Sequence, residues 1–182
     1  VINELERCRV IARYGVGVDN VDLEAATAKG ILVVNVPDYC TEEVSDQALA
    51  LLLACVRQIR VRDAAVRAGR WDVSDQGPMH RIAGRTMGLV GYGHIPRVLH
   101  RKLAGFSLGR VLVYDPYVEE TVVQRAGAQQ VSFQTLLAES DYISIHAPLT
   151  ESTRHMFDAE AFSQVKPGVI LVNTSRGGLV DT

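Results

Sequence analysis

The chain has 182 residues, 47% hydrophobic and 22% charged, and its 19 basic and 21 acidic residues leave a formal net charge of −2. That length suffices to bury a full core, and the balanced charge excludes both a disordered tail and a basic surface that tracks nucleic-acid phosphates. Its longest apolar stretches, such as 48–56, fall far short of the roughly 20 residues of a membrane span, and no secretory-type segment opens the sequence.

Short β-branched runs alternate with longer segments of helical spacing, the pattern of parallel βα units in an α/β fold. Strands are predicted over 9–14, 31–36, 86–90, 111–114, 142–146 and 169–173, apolar enough to be covered on both faces. Between the first two lies a short helix with Asp22 as its N-cap and Gly30 as its left-handed closing residue. A helix of about 27 residues and about 40 Å is predicted from Glu42 to Ala68. Glu42 and Glu43 occupy its first turn, and Arg57, Arg60, Arg62 and Arg67 lie toward its end. Residues 48–54 are apolar nearly all round, which calls for burial or an interface, and a helix of this length often connects domains.

Residues 69–83, with Trp71, Gly77 and Pro78, read as a surface connection in which a domain boundary falls, Trp71 packing under a loop. Cys8, Cys40 and Cys55, 32 and 15 residues apart, make neither a disulfide framework nor a zinc pattern and read as reduced, packed thiols. The chain opens at Val1 inside what reads as amphipathic helix (Ile2, Leu5) and stops at Thr182 where a strand should feed another helix, so an internal fragment of a longer protein is expected.

The stretch 86–96 ends a strand in Gly91-Tyr92-Gly93 and opens a helix. The first glycine makes the tight turn, the second admits phosphates to the backbone, and the helix N-terminus offers unpaired N–H groups. Asp115 ends the next strand, 22 residues past Gly93, where a carboxylate accepts both ribose hydroxyls and repels a 2′-phosphate; this favours NAD over NADP. A plain strand-ending turn at Asp115-Pro116 is the alternative. Pro96 stands where the third glycine belongs, so a displaced helix and weakened cofactor affinity are expected.

Taken together, 14–22, 35–37, the glycine loop with 114–117, 146–150 and 173–181 resemble the D-isomer-specific 2-hydroxyacid dehydrogenases, in the family's order over nearly the whole chain. That family includes phosphoglycerate and glyoxylate/hydroxypyruvate dehydrogenases and the C-terminal-binding-protein corepressors. The resemblance implies an incomplete Rossmann-like nucleotide-binding domain over 84–182 and, over 1–83, part of a flavodoxin-like substrate domain with the long linking helix.

It further implies an NAD-dependent oxidoreductase of D-2-hydroxy and 2-oxo acids, with Arg176 as the catalytic arginine. The loop at Gly15-Val16-Gly17 would bind the substrate carboxylate through backbone N–H groups, chiefly of Val16 and Gly17; a tight strand-to-helix turn is the other reading. Cofactor contacts are implied for Gly91, Gly93, His94, Ile95, Asp115, Ala147, Thr153, Thr174 and Ser175. The family's catalytic histidine and its orienting glutamate would lie beyond Thr182, so the stretch alone is expected to be a poor catalyst. His146 reads as a strand-end residue, and His80, His100 and His155 show no carboxylate partner at useful spacing. No metal, nucleic-acid or membrane partner is expected; a cytoplasmic homodimer is. An NAD(H)-sensing corepressor-like binding module and an inactive truncated product are the competing readings.

Overall fold

A computed structural model describes residues 1–71, 79 and 81–182; His80, Gly77 and Pro78, with much of the expected surface connection, lie outside the described residues. The chain divides into two compact units, Val1–Thr41 and Glu42–Thr182.

In the first unit β1 (Val10–Ala12) and β2 (Leu32–Val34) pair in parallel, Val10 opposite Leu32. Helix α1 (Leu23–Ala28) joins them. Asp22 caps it as expected, its Oδ1 accepting the Ala25 N–H at 2.9 Å, and Gly30 reverses the chain at φ +66°. Both strands are shorter than their apolar runs, because each has a single partner and pairing stops where that partner leaves. The opening residues form one 3-10 turn, Ile2–Glu4, in place of an amphipathic helix.

The second unit is built on a five-stranded parallel sheet in the order β5-β4-β3-β6-β7. Its strands are β3 (Thr86–Val90), β4 (Arg110–Tyr114), β5 (Gln129–Gln130), β6 (Tyr142–Ile145) and β7 (Ile170–Asn173). Four match the predicted runs closely. β5, two polar residues long, carries no periodicity that a sequence reading can detect. The crossovers contain α4 (His94–Leu103), α5 (Glu120–Arg125), α6 (Phe133–Glu139) and α7 (Ala159–Gln164).

Alternation along the central strand sorts the core into two layers. Met87 and Leu89 pack with Leu99, Leu103 and Val123 on one face, and Val90 packs with Leu136, Leu137 and Phe157 on the other. Gly88 lies between them because α6 comes too close for a side chain: a Cβ there would sit 2.9 Å from Leu136 Cδ2 and would also strike Ser140 Oγ.

The single helix expected over 42–68 is two helices, α2 (Thr41–Val56) and α3 (Ile59–Arg67), separated by Gln58 at φ +53°. The break falls where the buried stripe Ser45, Ala48, Leu52 and Val56 runs out and arginines take over; α3 buries only Ala65. One face of α2 is therefore buried, while Leu51 stays 38% exposed despite the apolar run around it. Lys102 of α4 fastens α2 to the second unit, its Nζ lying 2.6 Å from Asp46 Oδ1 and 2.7 Å from Glu42 Oε2 and donating to Ser45 Oγ at 2.8 Å. The compact units accordingly part at 41/42, whereas the sequence reading drew its boundary at 83/84. Two side chains depart from their expected packing: Cys55 is exposed and Trp71 is 88% exposed. Among the described residues no helix is long and apolar enough to cross a membrane.

Gly88→Ala is expected to destabilise the second unit by about 1–3 kcal/mol through overpacking against α6, read as a lower midpoint in urea with an unchanged slope.

Candidate functional site

The C-terminal ends of β3, β4, β6 and β7 meet around the glycine turn. The Gly91 N–H donates to Tyr114 O at 2.8 Å, and the His146 N–H donates to Val90 O at 2.7 Å, so both neighbouring strands hold the turn. Gly91 has φ +89°, and a Cβ on it would meet Ala147 N and His146 C at 3.1 Å. Only glycine satisfies both constraints.

Asp115, just past β4, secures the next residue: its Oδ2 accepts the Tyr92 N–H at 2.7 Å. Its Oδ1 accepts the N–H groups of Tyr117 at 2.8 Å and Val118 at 3.2 Å. The carboxylate thus makes the strand-ending turn and clamps the glycine loop at once, with three backbone N–H donors on its two oxygens. Tyr92 is buried, its hydroxyl 2.8 Å from His100 Nδ1, and the Arg97 guanidinium lies 5.5 Å from its ring centre. Burial pushes the Tyr92 hydroxyl up and the His100 imidazole down.

Gly93 caps α4, and a Cβ there would meet nothing within 4 Å. No side chain caps this helix, which leaves the first-turn N–H groups of His94 and Ile95 for a ligand or water. Pro96 is buried in that turn, where its missing N–H costs no intrahelical bond. α4 continues unbroken past it, the Arg97 N–H returning to Gly93 O at 3.3 Å, so the ring is absorbed without interrupting the helix.

At the end of β7, Asn173 braces the next turn: its Oδ1 accepts the Ser175 N–H at 3.0 Å and its Nδ2 donates to Arg176 O at 2.9 Å. Ser175 Oγ donates to Ile145 O at 3.0 Å, joining this turn to the end of β6. Thr174 Oγ1 is buried and has no hydrogen-bond partner. The half-buried Arg176 donates from its guanidinium to Ser175 O at 3.1 Å. Thr153 spends its hydroxyl on its own loop, donating to Pro148 O at 2.6 Å and accepting the Thr150 N–H at 2.8 Å. Gly91, Asp115, Ala147, Thr174 and Ser175 thus share one end of the sheet, whereas the side chains of Ser175 and Thr153 are internal braces.

His146 Nε2 lies 2.8 Å from Ser144 Oγ, and burial pushes the imidazole pKa down to about 4. His155, for which sequence spacing gave no acid, lies 3.7 Å from Asp181 Oδ1. Among the described residues no group of three or more His, Cys, Asp or Glu side chains is arranged to hold a metal ion.

In the first unit, the loop carrying Val16 and Gly17 is shaped by two residues the sequence reading passed over. The Arg13 guanidinium lies against Gly15, where a Cβ would come within 2.7 Å of Nη1, and it donates to Tyr14 O at 2.6 Å and Asn20 Oδ1 at 3.3 Å. Asn35 Nδ2 donates to Val16 O at 2.8 Å. Neither contact is visible from spacing, since both partners are ordinary polar residues.

A parallel sheet whose strand order reverses at β3, with a glycine turn leading into a helix at that point, defines a Rossmann-type nucleotide-binding domain. The chain belongs to the D-isomer specific 2-hydroxyacid dehydrogenase family, whose NAD binding domain it matches over residues 49–182. It is 45% identical over 181 residues to a D-3-phosphoglycerate dehydrogenase of Mycobacterium leprae, covering all of this chain and 34% of that protein. It is 41% identical to a glyoxylate reductase of Thermococcus litoralis, covering 56% of it. The solved D-lactate dehydrogenase of Aquifex aeolicus, complexed with NAD and lactic acid, superposes with a TM-score of 0.92 at 32% identity over 99% of this chain and 54% of that one. The chain therefore spans between a third and just over half the length of these relatives. The open Gly93, the uncapped start of α4 and the unpartnered Thr174 hydroxyl fit a dinucleotide.

An unfolded imidazole takes up its proton below about pH 6.5, whereas folded His146 does not until about 4. Unfolding is therefore favoured increasingly as pH falls through that window. His146→Gln should remove that part of the acid sensitivity, and proton NMR should show the wild-type imidazole neutral at pH 6.

Proposed function

We propose that the protein is an NAD-dependent oxidoreductase of D-2-hydroxy acids and their 2-oxo counterparts. In this reading residues 1–83 supply the C-terminal part of a substrate domain with the linking helices, and 84–182 the N-terminal part of the NAD-binding domain. The observation that carries it is the Asp115 carboxylate clamped to the Tyr92 N–H beside the open Gly93. The names of the relatives, which include a glyoxylate reductase and a hydroxypyruvate reductase, support small 2-oxo acids as the substrate class.

The glycine turn and the N–H groups of His94 and Ile95 bind the pyrophosphate. Asp115, with about one acceptor site left beside the Tyr92, Tyr117 and Val118 N–H groups, accepts a ribose hydroxyl there and turns away a 2′-phosphate. Ala147 and Thr153 border the adenosine through backbone, since the Thr153 hydroxyl is engaged by Pro148. Thr174 offers its free hydroxyl, and Ser175 its backbone. Bound NAD supplies the hydride acceptor, or in its reduced form the donor. Arg176 grips the 2-oxo acid through paired N–H groups, and Val16 and Gly17 offer backbone N–H groups to its carboxylate. Neutral, Ser144-bonded His146 takes no part in proton transfer.

In the full-length protein, NADH absorbance followed with glyoxylate, hydroxypyruvate and pyruvate should report turnover. Arg176→Gln should lower kcat/KM by roughly 10²-fold or more, and Asp115→Ala should weaken NADH about tenfold while narrowing its advantage over NADPH. Bound NADH without turnover on any of the acids would overturn the reading.

We also assign the protein to the cytoplasm as a homodimer. Ile59 and Val66, one α-helical repeat of seven apart and so on one face of α3, are 54% and 51% exposed, apolar side chains that a second copy would cover. Light scattering at micromolar concentration should give twice the protomer mass.

A further inference from the structure

A cavity of about 460 Å³ opens where β3, β6 and β7 begin, at the opposite end of the sheet from the glycine turn. Small-molecule sites commonly have this volume. Arg85 and Asp141 immediately precede β3 and β6, Tyr142 opens β6, and Lys166 lies in the turn before β7. Cys55 and Gln58 contribute from the end of α2 and the break after it. At about 3.3 Å per residue, β3 keeps this cavity about 15 Å from Gly91, so an occupant does not overlap a nucleotide.

The charges around it are unbalanced. Asp141 Oδ1 is shared by Arg85 Nη1 at 3.4 Å and Lys166 Nζ at 3.3 Å, and its Oδ2 accepts the Thr86 N–H at 2.8 Å. Burial raises the Asp141 carboxyl, but the Thr86 N–H, Lys166 and Arg85 outweigh that and hold it below its ordinary value. It stays charged, with both oxygens occupied by donors, and has little to offer a cationic ligand. One carboxylate set against two cations leaves a formal charge of +1. A guanidinium has five N–H donors and an ammonium three, and with side chains 41% and 38% exposed this pair keeps donors for an incoming acceptor.

Tyr142 is 4% exposed, and its hydroxyl is buried without a hydrogen-bond partner, a state that costs about 1–3 kcal/mol until an acceptor is supplied. Val56, Pro167 and Val169 add an apolar wall.

We propose that this cavity is a second ligand site, taking a small organic oxyanion (a phosphate- or carboxylate-bearing metabolite) on Arg85 and Lys166. The site is separate from the nucleotide cradle, and its occupant is recognised by anionic charge against an apolar wall.

Cys55, exposed on the rim, serves as reporter. Its alkylation by iodoacetamide in the protein, read by mass spectrometry, should slow saturably with inorganic phosphate or with succinate, while labelling of Cys8 and Cys40 is unchanged. Whichever probe protects identifies the head group. Lys166→Gln should raise the half-protecting concentration about tenfold or more, and Lys166→Arg should restore it. The partly exposed ion pair is worth at most about 1 kcal/mol, so the variant should melt within a few degrees of wild type, and Arg85→Gln provides an independent arm. The proposal falls if neither probe saturates by about 10 mM, or if protection is the same in Lys166→Gln and Arg85→Gln as in wild type.

Discussion

The central strand of the second unit is gripped at both ends by carboxylates. Before it, Asp141 Oδ2 accepts the Thr86 N–H at 2.8 Å; beyond it, Asp115 Oδ2 accepts the Tyr92 N–H at 2.7 Å. Charge-assisted bonds to backbone of this kind are worth about 1.5–3 kcal/mol each, and both lie where the ladder of the parallel sheet leaves donors unpaired. Everything at the nucleotide end refers back to this strand. The turn at Gly91 is fixed by β4 through Tyr114 O, β6 is fixed to Val90 O, and Ser175 ties the segment after β7 to Ile145 O. The site is therefore a property of strand register rather than of any one loop.

That dependence explains what the sequence made legible. Runs buried on both faces announce themselves, so β3, β4 and β6 were readable; β7 was readable from its apolar run although only Val172 is buried in it, as were the Asp22 cap and the reversal at Gly30. The glycine turn and the acid after β4 were readable because turn geometry and charge constrain residue type at fixed spacing. Partners joined only through the fold were not. The Asp115–Tyr92 clamp spans 23 residues and uses a backbone donor that leaves no mark on composition. The hydroxyls of Thr153 and Ser175 fit a ligand-contacting pattern, yet both are engaged within the protein. Arg13, Asn35 and Asp181 likewise gained their partners only once the chain had folded.

The helix after Pro37 misled for a different reason. Composition over 48–54 says how apolar a segment is but not which face is used, and a run of leucines and alanines conceals a stripe that ends at Val56. Beyond it the arginine-rich residues gain nothing from continuing on the same axis, and Gln58 turns the chain at φ +53°. Because α2 buries that stripe and is held by Lys102, it joins the unit whose core it completes.

The two ends of the sheet have different chemistry although the same device holds each. At the carboxyl end the clamp acid stands beside glycines and uncapped N–H groups, and the donors there are uncharged backbone. At the amino end the clamp acid brings two cations with it, and its own charge is neutralised before a ligand arrives. One carboxylate thus stands among uncharged backbone donors, while the other holds two cations beside it. The difference lies in Arg85 and Lys166, whose shared oxygen on Asp141 leaves one positive charge unanswered.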